Sequence, residues 1–423
     1  MSLVDKSLVV YEEQAGEGRY RMLQTLREYA LEKLKASGED EALRARHCDY
    51  FMRLTEEARD RWNGPEQKVW LQRLESEHDN LRTALAWCQQ DPDRAETGLL
   101  LAGRLGPFWN TRCYFSEGRQ HLAGALEQEG AAKPTSERAM ALNGAGNLAF
   151  SQGDYAAAHR LHEEALEIRQ QIGDQRSIAA SLGNLGNVAY ARGDYAAAQP
   201  YYEQALVLSR EMGNHVWEAN TIGNLGSIAS GLGDFHKSRA LHEQALAINR
   251  EIGNRVWEAI NLGNLGHVAI ELKDLEAARS YYAQALAINR EMGHRAYEAD
   301  NLDGLGGLAQ VEGNYAAAHR LHAEALAIWQ SLEARRGIIQ SLEMLADLFL
   351  AMQQLEKAAR MYGAVLAQRD SIQAPPSPEI QPVYDRNLTD LRARLGLERF
   401  ATAFCGGRAM SPEQAISYAL EAS

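Results

Sequence analysis

A forty-residue step governs this chain. Gly-Asp-Tyr at 153–155 returns at 193–195, then as Gly-Asp-Phe at 233–235, Lys-Asp-Leu at 273–275 and Gly-Asn-Tyr at 313–315. The same step superposes Ala165, Ala205, Ala245, Ala285 and Ala325, each followed by Leu, and Gly146, Gly186, Gly226, Gly266 and Gly306. Weaker copies flank them, with Gly106, Phe115 and Ala125-Leu126 before and Leu355 and Tyr362 after, so about seven units run from residue 94 to 372. Units of this size cannot bury their apolar surface alone and must stack on their neighbours.

Inside one unit Leu182, Leu185 and Ala189 recur at three and four, the spacing of a helix with one buried stripe. Asp194 stands at an N-cap position, and a second helix is expected from Tyr195 toward Met212 until Gly213 stops it. Stacked helical hairpins make an all-α superhelix with a concave and a convex side. Leu185-Gly186, Gly193-Asp194-Tyr195, Ala198 and Ala205-Leu206 resemble the tetratricopeptide repeat. That repeat usually has a period of about 34, so extra helical turns are expected here.

Glycine inside a helix costs about 1 kcal/mol relative to alanine, yet Gly183-x-x-Gly186, Gly223-x-x-Gly226 and Gly263-x-x-Gly266 all fall in helix interiors. Close approach of neighbouring helices is the expected reason. A phosphate loop is not, because no strand precedes these glycines. The run from Gly231 to Lys237-Ser238 also fails as a nucleotide motif, with His236 where its second glycine belongs.

Opposite the buried stripe the helix face is small and rich in amides: Asn147, Asn184 and Asn187, then Asn220 and Asn224, then Asn264 and His267. Trp217, Trp257 and Tyr297 stand in register on the same side. Two accounts stand: the crowded inner wall of a tight superhelix selects small residues, or the carboxamides pair with the backbone of an extended peptide. On the second account Asn184, Asn224 and Asn264 form a ladder, like those lining the peptide grooves of similar tetratricopeptide proteins. Further on the face becomes acidic, with Asp300, Asp303, Glu343 and Asp347, so a neutral or basic peptide is expected. Trp217 and Trp257 leave open a second kind of ligand, a small molecule stacked on a ring.

His159-x-x-His162 and His319-x-x-His322 suggest metal, but His162, Tyr202, His242, Tyr282, His322 and Tyr362 share one register position and read as packing groups. Cys48, Cys88, Cys113 and Cys405 lack CxxC spacing and are read as small buried residues, with no disulfide framework or zinc site. No catalytic constellation, metal or cofactor is expected. With 57 acidic and 44 basic side chains the net charge of −13 disfavours a phosphate-neutralising surface, and nucleic-acid binding is not expected. No apolar run reaches the length of a membrane span and no signal segment opens the chain, so a cytoplasmic protein with no membrane partner is expected.

Leu8-Val9-Val10-Tyr11 and Tyr20-Arg21-Met22-Leu23 around Gly16-Glu17-Gly18 read as a β-hairpin, followed by a helix from Gln24 to Lys35. Met1-Ser2-Leu3 is read as a cloning remnant. Two longer helices are expected at about 41–61 and 65–90. The stretches 19–34, 70–87 and 400–421 resemble the C-terminal arm of bacterial STAND-type (NB-ARC-like) signalling ATPases, among them regulators of the LuxR class. The resemblance implies a winged-helix remnant at 1–37, a helical linker at 41–92, a tetratricopeptide sensor at 94–372 and a helical cap at 379–423. It also implies ATPase and effector domains outside this chain, since no phosphate-binding loop is present. Ala374-Pro375-Pro376-Ser377-Pro378 breaks the helical pattern before the cap, and Ser411-Pro412-Glu413-Gln414 has the form of a helix start. The expected function is non-catalytic binding of a peptide or protein in the concave groove, with signal relay through residues 1–90; a small-molecule inducer is the alternative.

Overall fold

The computed structural model describes residues 8–14, 17–59, 61, 66–372, 374–376 and 380–421; the hairpin tip at Gly16, the Met1-Ser2-Leu3 start and Ser377-Pro378 lie outside them. Two antiparallel strands, β1 (Val10–Gln14) and β2 (Glu17–Arg21), pair Val10 with Arg21 and precede α1 (Gln24–Ser37). Three helices follow: α2 (Asp40–Arg59), α3 (Gln67–Ser76) and α4 (His78–Cys88). The single helix expected over 65–90 is thus two. Ser76 Oγ donates to the Arg73 carbonyl at 2.8 Å, and the Glu77 amide is shared among several carbonyls of that turn, which breaks the helical ladder there.

Seven helical hairpins come next. They are α5 (Ala95–Thr111) with α6 (Phe115–Leu126), α7 (Ser136–Ser151) with α8 (Tyr155–Ile172), α9 (Gln175–Ala191) with α10 (Tyr195–Glu211), and α11 (His215–Gly231) with α12 (Phe235–Glu251). Then come α13 (Arg255–Glu271) with α14 (Leu275–Met292), α15 (Arg295–Val311) with α16 (Tyr315–Ser331), and α17 (Arg335–Ala351) with α18 (Leu355–Ser371). The chain is an all-α tetratricopeptide-like superhelix.

Each turn repeats one piece of local chemistry. Asp154, Asp194, Asp234, Asp274 and Asn314 cap the second helices, the Asp194 carboxylate accepting from the Ala197 amide at 3.0 Å. The preceding residue must adopt positive φ; Gly193 and Gly233 do so freely, whereas Lys273 is held at φ 61° at the same register. Between hairpins, Glu258 of α13 is gripped by Arg250 of α12 at 2.9 Å and by its own Arg255 at 2.6 Å, and Arg290 meets Glu298 at 2.8 Å one unit later.

The glycines in the first helices have a direct cause. A Cβ on Gly146, Gly186, Gly226, Gly266 or Gly306 would stand 2.5–2.9 Å from the ring of His162, Tyr202, His242, Tyr282 or His322 respectively. The alternating His/Tyr register is therefore a packing position, each ring lying flat on the glycine of its own hairpin. Gly223 and Gly263 instead receive the Asn261 and Asn301 side chains of the following unit. Gly183 meets nothing within 4 Å, and the structure offers no reason for it.

Past the array, α19 (Gln381–Leu395), α20 (Leu397–Arg408) and α21 (Pro412–Leu420) pack on α18. A Cβ on Gly407 would fall 1.8 Å from the Arg360 carbonyl, so the α18 and α20 backbones cross almost in contact. In α20 the buried stripe is Phe400, Ala403 and Gly407; Cys405 lies off it and is exposed, contrary to its reading as a buried residue. Cys113 is half-buried, while Cys48 and Cys88 are buried, their sulfurs 3.6 Å apart between α2 and α4.

Candidate functional site

First helices of neighbouring hairpins touch one another, as α7 does α9 and α13 does α15, whereas second helices do not approach to the same extent. The first helices therefore line the concave wall, and the amide-rich face lies on them. Asn224 and Asn264 are half-buried, and their carboxamides have no hydrogen-bond partner among the described residues. Asn220 is similar, its Oδ1 buried and unpaired. Asn184 is partly committed, since its Nδ2 donates to Asn143 Oδ1 at 2.8 Å. Asn187 accepts from Tyr202 Oη at 2.5 Å, while Asn147 and His267 are exposed.

The aromatics are less available. Trp217 and Trp257 are half-buried on the first turns of α11 and α13, and the Arg176 guanidinium of the preceding unit covers the Trp217 ring at 5.6 Å. Tyr297 is 37% exposed, and its carbonyl holds the Asn301 amide at 2.7 Å.

The acidic end of the face is mostly engaged from within, so those carboxylates give little support to the expectation of a neutral or basic ligand. Asp303 accepts from Ser341 Oγ at 2.8 Å and faces His322 Nδ1 at 2.7 Å. That serine points at the carboxylate and not at the imidazole, and all three groups are buried, so this is a structural network without a reactive nucleophile. Glu343 holds Arg369 at 2.5 Å and Tyr384, and Asp347 is bonded to Tyr362 and Asn387. Asp303 and Glu343 are buried and Asp347 half-buried, whereas Asp300 is exposed. Its carboxyl is pushed up to about 6, first by the surrounding wall of neighbouring hairpins and then by the negative charge of Asp303, with Gln340 at 3.4 Å opposing.

One feature had no signal in the repeat pattern. The superhelix closes: Arg112, after α5, pairs with Glu333, before α17, at 2.6 Å, and Arg336 of α17 donates to Ser151 of α7 at 3.3 Å. Pro375 lies against Gly153. Between the two ends is a cavity of about 540 Å³, walled by Phe150, Ile339, Met344 and Ile372 and carrying Asn187, Arg336, Gln340, Glu343 and Arg369. That size is ordinary for a ligand site. Of the residues expected to bind ligand, only Asn187 reaches this cavity; Trp217 and Trp257 are not part of its lining.

Among the described residues, no group of three or more His, Cys, Asp or Glu could share a metal ion, and no helix is long and apolar enough to cross a membrane. His159 contacts Glu163 at 3.0 Å and His319 approaches the Ala419 carbonyl at 3.1 Å, so neither is paired with the histidine three residues on.

Comparison with known proteins agrees with this architecture. The tetratricopeptide repeat family matches three overlapping stretches, 137–211, 177–251 and 217–291. A candidate HTH-type transcriptional regulator of Mycobacterium tuberculosis is 42% identical over 127 residues, and one of Mycobacterium bovis matches equally. That stretch covers 30% of this chain and 14% of theirs. Among solved structures, a Rap protein complexed with Competence and Sporulation Factor superposes with a TM-score of 0.52 at 16% identity, covering 86% of this chain and 99% of that one. Aspartyl phosphate phosphatase F of Bacillus subtilis gives 0.55 at 12%, covering 73% and 82%. At such identities the likeness concerns the fold. Residues 137–291 thus carry tetratricopeptide repeats, within a longer solenoid of the same kind.

Proposed function

We propose that this chain is a non-catalytic, peptide- or protein-binding tetratricopeptide module that acts as the sensing arm of a bacterial regulator. The observation that carries the reading is the row of unpaired, half-buried carboxamides at Asn220, Asn224 and Asn264 on the concave wall. A buried polar group without a partner costs free energy, and an extended peptide backbone supplies the missing donors and acceptors. The Rap neighbour, solved in complex with Competence and Sporulation Factor, and the HTH-type regulators supply the analogy for ligand binding by such a solenoid and for the regulatory setting.

Relay to an ATPase of the STAND type, with residues 1–37 as the end of a winged helix, is the finer part of this proposal. It agrees with the exposed apolar side chains of Tyr20, Leu23, Tyr29 and Leu43, since α1 buries none of its own residues and leaves a surface suited to another domain. The size of the cavity favours a second reading, a small-molecule inducer, although neither candidate tryptophan lines it.

The test is binding of a random synthetic peptide library by the wild type and by the Asn224→Ala/Asn264→Ala variant. Two lost hydrogen bonds predict affinity weakened about tenfold or more. Equal binding by both would remove the carboxamide row from the site.

A further inference from the structure

The closure cavity holds an imbalance of charge. Arg369 is spent on Glu343 at 2.5 Å and on the Ala374 carbonyl at 3.2 Å, and Glu343 is also bonded to Tyr384. Arg336 forms no ion pair among the described residues; its only side-chain hydrogen bond is to Ser151 Oγ at 3.3 Å, and that hydroxyl donates onward to Asn110 at 2.6 Å. A guanidinium has five N–H donors in a fork shaped for a carboxylate. Around it stand the neutral Gln340 and Asn187 and the apolar walls of Phe150, Ile339 and Met344. Gln340 in turn donates to Asp300 of the neighbouring hairpin at 3.4 Å.

We propose that this cavity takes a carboxylate of the bound peptide, with Arg336 as its bidentate partner. The assignment rests on the peptide-binding reading above and reverses the charge expected of the ligand. It also gives the closed superhelix a role: a ligand held by Arg336 while packed on Phe150 touches the second and seventh hairpins at once, and so bridges the two ends of the array. The carboxylate comes either from the peptide's C-terminus or from an acidic side chain.

Three random hexapeptide libraries tell these apart: one with a free C-terminus and no Asp or Glu, the same sequences amidated, and an amidated set with one Asp. Each is equilibrated against the whole chain and quantified by mass spectrometry. The wild type should retain one or both acidic libraries about tenfold better than the neutral amide, and the library retained names the source. Arg336→Gln should abolish this preference while keeping residual binding of all three, and Arg336→Lys should restore part of it. Gln340→Glu places a carboxylate one helical turn from Arg336 and should abolish the preference too, which covers the case in which Arg336→Gln does not fold. If the neutral amide is retained as well as the acidic libraries, or the preference survives in a folded Arg336→Gln chain, Arg336 is not the anchor and the peptide groove stands without it. If no library is retained, both readings fall.

Discussion

Gly266 and Gly183 sit in equivalent helices and carry the same intrinsic penalty, yet the structure predicts opposite outcomes when each becomes alanine. Both substitutions gain about 1 kcal/mol of helix propensity. At Gly183 the new methyl meets nothing within 4 Å, so Gly183→Ala should stabilise by close to that full amount. At Gly266 it would stand 2.9 Å from three carbons of the Tyr282 ring, which is buried and also packs closely on Gly304. Overpacking a filled core costs roughly 1–3 kcal/mol. Subtracting one variant from the other removes the propensity gain, so Gly266→Ala should be less stable than Gly183→Ala by about 1–3 kcal/mol. Solenoids can unfold in sections, so the assay is amide hydrogen exchange of α13 and α14 for Gly266→Ala and of α9 and α10 for Gly183→Ala, with urea unfolding as the global check. If Gly266→Ala proves as stabilising as Gly183→Ala, the ring-on-glycine contact is not what selects glycine at this register.

Other outcomes follow from the same contacts. Burial holds His162 and His242 at about 4, with Arg169 adding to the effect on the first. The unfolded chain therefore takes up protons near pH 6.5 that the folded chain refuses, and stability is lost as pH falls from about 6.5 to 4, by on the order of 3 kcal/mol for each group at most. His162→Tyr, which offers its hydroxyl to Asn147 as Tyr202 does to Asn187, should remove its share of this acid sensitivity in melts between pH 7 and 4. Lys273→Gly relieves a residue held at φ 61° and should stabilise by about 1 kcal/mol in urea unfolding. Glu343→Gln leaves the Arg369 guanidinium enclosed without its counter-charge and should cost roughly 3 kcal/mol, seen first as faster exchange in α18 and α19. A loss below about 0.5 kcal/mol would mean that water already screens that pair.

Much of the fold was legible in the sequence because it is local and repeated. The capping Asp194, the stop at Gly213 and the Leu182-Leu185-Ala189 stripe act within one hairpin, and the forty-residue step copies each of them along the chain. Register alone identified His162 and its counterparts as packing groups, since a shared position in a stacked array is a shared environment. The candidate site was legible only in part. Asn220, Asn224 and Asn264 could be placed on the inner wall by helical phase, but periodicity carries no information about which side chains a neighbour has already claimed. Hence the pairing of Asn184 with Asn143 and the internal hydrogen bonds of Asp303, Glu343 and Asp347 went unseen.

The break at Glu77 escaped for a related reason: the apolar phase runs on through it, and only a serine hydroxyl competing for one carbonyl marks it. Helical phase, caps and the need to stack were determined by the sequence alone, because each depends on residues a few positions or one repeat apart. Where the superhelix closes, which brings Arg336 to Ser151 across 185 residues and makes the cavity between them, depends on small inter-hairpin rotations summed over the whole array. No single repeat encodes that sum, so only the tertiary structure decided it.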